Sequence, residues 1–97
     1  MIVPLSSPIS VSGAQVAAIE LRPPGRRFFE VMRSDRGPIR FSDEAIVRIA
    51  ARLSVHGPST IRKLSDADLA QLADGIEQVY AHARRRFVGR STREQDL

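Results

Sequence analysis

Acid–base, metal or nucleophilic chemistry needs titratable or ligating side chains gathered at workable spacing. This chain of 97 residues offers little of that. Its two histidines, His56 and His82, stand twenty-six residues apart with no ligand or orienting partner beside either. They read as a loop residue and a solvent-facing helix residue. Cysteine is absent, which removes disulfides, thiol nucleophiles and Cys-based zinc or iron–sulfur sites and fits a reducing compartment. Asp66 and Asp68 stand where anions favour the start of a helix. None of the six glycines builds a phosphate-cradling loop, since neither G-x-G-x-x-G nor G-x-x-x-x-G-K-[ST] occurs. The expectation is a protein that is not an enzyme, with no catalytic, cofactor-binding or metal-binding residues and no cofactor.

Binding chemistry is better represented. Fourteen of the fifteen cations are arginine and the net charge is +4, distributed unevenly: residues 1–41 carry +3, residues 42–83 carry −2 and residues 84–97 carry +3. A nucleic-acid reader more often places its basic stripe on the folded element that enters a groove, so this distribution argues against nucleic acid as the partner. Arg84-Arg85-Arg86, with Arg90 and Arg93, could contact phosphates, but cations at a helix C-terminus also offset its dipole, and successive helical residues point in different directions. Residues 45–64 look in part like the helix-turn-helix of a small DNA-binding regulator, the alternative reading. Ala50, Leu53 and Val55 fit that pattern, whereas Ile61 falls one residue late and Gly57-Pro58 occupies the start of the reading helix. One inserted residue rotates a helix by about 100°, which would disturb either Ile61 or the groove-facing Arg62 and Lys63.

Positioning such groups falls to one small domain, because a chain of this length builds a single core. The 42% hydrophobic and 27% charged composition sets aside disordered, collagenous and membrane classes. No run approaches the roughly 18 apolar residues of a membrane span, and the first residues lack the pattern of a signal peptide, which predicts a soluble intracellular protein. Ile9 and Val11 alternate with serines, Ser12-Gly13 supplies a turn, and Ala17, Ile19 and Leu21 alternate after it. That predicts a β-hairpin over 9–21, ended by Pro23-Pro24-Gly25. A lone hairpin is marginal in water, so helices or a partner must cover its apolar face.

Helices are predicted over 26–34, with Phe28, Val31 and Met32 on one side, and over 42–54, with Ser42 as N-cap and Asp43 and Glu44 in the first turn. Pro58 opens a short helical turn over 58–64. The last helix, 65–88, begins at Ser65-Asp66-Ala67-Asp68, a near capping box. The predicted class is α+β, a small N-terminal hairpin followed by three to four helices in one domain over 1–88, with a flexible basic tail over 89–97. Leu69, Leu72, Ile76, Val79, Tyr80, Ala83 and Phe87 fall within an arc of about 100° on the last helix. Such a stripe is long for so small a domain, so part of it reads as core and the rest as a partner groove or protomer interface.

Several segments, taken in order, carry a resemblance. They are Pro4-Leu5-Ser6-Ser7-Pro8-Ile9, the strand from Val16 through Leu21 running into Arg22-Pro23-Pro24-Gly25-Arg26, Ile49-Ala50-Ala51-Arg52-Leu53, and the stretch from Leu64 to Ala73. This pattern, across about residues 4–80, resembles the tail assembly chaperones of tailed phages and Mu-like prophages. The resemblance implies a non-enzymatic factor in viral tail assembly, working in the host cytoplasm and absent from the mature virion. Such a factor transiently binds the tape measure protein and promotes assembly of the tail tube around it. The tail tube protein and a second copy of the chain are further candidate partners, and no membrane is implied. Leu72, Ile76, Val79, Tyr80 and Phe87 are then the expected partner-binding residues, with Arg84 and Arg85 steering acidic segments toward them. A homo-oligomeric structural protein of the tail is a blander reading.

Overall fold

A computed structural model describes residues 1–38 and 40–89. Two antiparallel strands, β1 (Ile2–Val11) and β2 (Ala14–Glu20), come first. Four α-helices follow among the described residues: α1 (Arg26–Asp35), α2 (Asp43–Leu53), α3 (Pro58–Ile61) and α4 (Asp66–Arg84). The last continues into a π-helical turn, Arg85–Gly89. The α+β class predicted from the sequence is the class observed; the tail beyond Gly89 lies outside the described residues.

The hairpin turns where the sequence places it. Ser12 and Gly13 both take positive φ, 51° and 79°, the pair of left-handed residues that a two-residue I′ turn requires. From the turn the register runs Val11↔Ala14, Ser10↔Gln15 and Ile9↔Val16, then resumes as Pro4↔Ala18, Val3↔Ile19 and Ile2↔Glu20. Between Pro4 and Ile9, the residues Leu5 to Pro8 stand opposite Ala17 alone, so β1 bulges there. The strand therefore begins at Ile2 rather than at residue 9. Two prolines and the Ser6-Ser7 pair hide it in the sequence, and β1 accommodates them because it has a free edge.

The inner face of the hairpin, Val3, Leu5, Ile19 and Leu21, packs into one core with residues of α2 and α4. From α2 come Ile46, Ile49, Ala50 and Leu53; from α4, Leu72, Ala73 and Ile76. At Gly75 α4 comes close to the hairpin: a Cβ on this residue would lie 2.8 Å from Val3 Cγ2 and 3.2 Å from Leu21 Cδ1. Glycine is used here for proximity.

Ser42 caps α2 by accepting the Ala45 amide at 3.2 Å, and Ser65 caps α4 by accepting the Asp68 amide at 3.2 Å. Helix α1 is rotated from the expected orientation. Phe29 and Met32 are its buried residues, while Val31 is 44% exposed, because Phe29 reaches across to aromatic rings on α4 and the π turn. Among the described residues no helix is long and apolar enough to cross a membrane.

Candidate functional site

The titratable groups are dispersed. His56 is half-buried in the connection after α2, where its backbone amide donates to Ser54 Oγ, and His82 is exposed on α4. Among the described residues no three His, Cys, Asp or Glu side chains gather as a metal site. Among the described residues Asp68 is the buried charged one, at 1% exposure, and its carboxylate is engaged in holding the bulge of β1. Oδ1 accepts the Ser6 amide at 2.7 Å and the Ser6 hydroxyl at 2.8 Å, and Oδ2 accepts the Ser7 amide at 3.0 Å. The Ser6 amide does most to hold this carboxyl below its ordinary range. Burial of the charge works the other way, and the Ser7 amide with the Ser6 and Ser65 hydroxyls adds to the lowering.

The helix-turn-helix reading finds a short second helix. Helix α3 has four residues, about 6 Å of rise, and Arg62 and Lys63 lie beyond it. Arg62 pairs with Glu44 at 3.1 Å, Lys63 reaches the Ser10 carbonyl at 3.5 Å, and Val55 stands 75% exposed. These are neighbours within the chain's own surface.

A feature that the sequence reading missed is a ladder of rings from Phe41 through Tyr80 and Phe29 to Phe87. Successive centroids lie 5.6, 5.4 and 5.5 Å apart. Arginines fill its flanks. The Arg36 guanidinium lies 4.7 Å from the Tyr80 ring and 5.2 Å from Phe41, and it also donates to both oxygens of Glu77 at 2.8 and 2.9 Å. Arg26 and Arg86 approach the Phe87 ring at 5.6 and 5.3 Å. Planar guanidinium groups stack and fork in ways that lysine does not match, so the excess of arginine over lysine was the signal available. The ladder holds α1 against α4.

Beside it an open groove of about 530 Å³ lies between the C-terminal end of α4, the π turn, Met1 and the segment after β2. Its apolar lining comes from exposed Met1 and Pro23 and half-buried Val79 and Phe87, over a floor of buried Leu21, Pro24 and Ala83, and His82, Arg85 and Arg86 are its basic members.

Against this geometry the seven expected partner residues divide. Leu72 and Ile76 are fully buried in the chain's own core, which corrects their expected place on a partner face. An arc read from sequence does not say which part of it the hairpin covers. Val79 and Phe87 are half-buried and line the groove; Arg85 is exposed and lines it, and Arg84 is exposed in the last turn of α4. Tyr80 is half-buried in the ring ladder and does not line the groove. Ala81, which sequence reading passed over, and His82, read from sequence as a solvent-facing helix residue, are exposed lining residues. No protein-family model, curated protein or solved structure matches the chain.

Proposed function

We propose that this chain is a phage tail assembly chaperone that transiently binds the tape measure protein and promotes assembly of the tail tube. The observation that supports the reading is the open apolar groove at the end of α4, together with the order of sequence patterns that resemble that family. A tape measure is a long helical chain whose apolar surface invites self-association until a tube encloses it. A temporary holder needs solvent-facing apolar surface that its own fold leaves uncovered. Limited contact area suits release, since small interfaces belong to transient encounters.

Co-expression with the tape measure protein of the same tail gene cluster tests the proposal. Its soluble yield should rise, and the two chains should purify together. Unchanged yield without co-purification would overturn it.

A further inference from the structure

We infer that the groove at the end of α4 receives an acidic amphipathic helix, with the apolar stripe of that helix in the groove and its carboxylates on the arginine rim. The inference rests on the reading of the chain as a temporary holder of helices, and it adds the chemistry of the segment held.

The lining carries one sign of charge. Its titratable side chains are His82, Arg85 and Arg86, with no Asp or Glu among them. Among the described residues four arginines, Arg33, Arg36, Arg48 and Arg62, have an ion-pair partner and eight have none; Arg84, Arg85 and Arg86 are three of those eight, consecutive at the groove's end of α4. Compensation of a helix dipole does not account for this excess, because a helix C-terminus presents only about half an elementary charge. Three guanidinium groups exceed it several-fold.

A second helix adds to the same field. Arg26 in the first turn of α1 stands 5.6 Å from the Phe87 ring, and that turn contains no acidic residue. Arg26 thereby brings a further formal positive charge to the Phe87 side of the groove. A negatively charged occupant is favoured there.

The shape favours a helix over a compact ligand. Gln78, Ala81, His82 and Arg85 are exposed and follow one another at i, i+3, i+4 and i+7, a strip about 10 Å long beside the groove. Ala81 in that strip presents only a methyl group, so a partner backbone can come near.

The probe is a fluorescent synthetic peptide of about 20 residues with leucines on one helical face and glutamates on the other, compared with the same peptide carrying lysines for glutamates. Anisotropy with the full chain at about 50 mM salt should give at least roughly tenfold tighter binding of the glutamate peptide. That preference should shrink at about 300 mM salt. Arg85→Glu should abolish it, and Ala81→Trp, which fills the groove, should weaken binding of the glutamate peptide. Both positions are exposed, and circular dichroism verifies that each variant folds. Equal binding of the two peptides, no binding of either, or binding that survives both substitutions would overturn the inference. Arg85-dependent binding to anionic phospholipid vesicles without peptide binding would overturn it in favour of a membrane. Self-association abolished by Arg85→Glu, again without peptide binding, would overturn it in favour of a second copy. Co-purification of the tape measure protein with both variants would sink the groove and spare the chaperone reading; peptide binding without co-purification would do the reverse.

Discussion

Asp68 and Arg36 each join parts of the chain that are distant in sequence, one by its carboxylate and the other by its guanidinium. The Asp68 carboxylate accepts two amides and a hydroxyl from Ser6 and Ser7, sixty-two and sixty-one residues away. Its pKa is lowered in the folded chain, so its stabilising contribution is complete above the ordinary carboxylate range and is lost as pH falls through the folded value. In Asp68→Asn a side-chain amide would face backbone amide donors, leaving one donor unsatisfied. The variant should melt below the wild type at pH 7, and the difference between their melting temperatures should narrow as acid approaches about pH 3. A difference that stays constant over that range would contradict this account. Arg36 combines a two-pronged bond to Glu77 with stacking on Tyr80 and Phe41, and its side chain is 26% exposed. Arg36→Lys keeps the charge and removes the fork, which should cost about 1–2 kcal/mol in chemical denaturation. Arg62→Lys should cost less than about 0.5 kcal/mol, because its 3.1 Å pair with Glu44 is more than half exposed on both sides.

Helix α4 and the hairpin approach each other through Gly75, and this contact sets the sign of a substitution there. Alanine would gain roughly 1 kcal/mol of helix propensity, yet its Cβ would press on Val3, a stiff β-branched side chain, at a cost of about 1–3 kcal/mol. Gly75→Ala should therefore lower the unfolding midpoint, the reverse of its effect on an exposed helix; a raised midpoint would contradict the close approach. Elements whose signals are local were legible. Ser12-Gly13 marked the turn, and Ser42 and Ser65 marked helix starts that the structure places within a residue. The first half of β1 was not, since the partner that makes its bulge favourable is Asp68, far along the chain. The near capping box at Ser65 was legible by half. Its hydroxyl accepts the Asp68 amide, but the Asp68 carboxylate turns to Ser6 and Ser7. The rotation of α1 and the change to a π turn after Arg84 follow from ring packing between helices, which periodicity along one helix does not contain.

At the scale of the whole molecule, α4 divides its apolar stripe between two environments. Leu72 and Ile76 close the core under the hairpin, and a turn later Val79 looks into an open groove with basic groups around it. Sequence carried the stripe and the arginines. It did not carry the division, which depends on where the hairpin ends, nor the part played by Met1 and Pro24 in framing the groove. On the proposed reading, one face of this helix builds the protein and the following turns serve a partner. Substitutions at Ala81 and Arg85 should accordingly alter co-purification at unchanged stability, whereas truncation of Leu72 should unfold the chain. The ring ladder beside the groove has a practical consequence. Tyr80 is the chain's one tyrosine and tryptophan is absent, so near-ultraviolet emission comes chiefly from a single phenol lodged between Phe29 and the Arg36 guanidinium. The protein thereby contains its own optical gauge for the seating of α1 on α4, readable without dye or label.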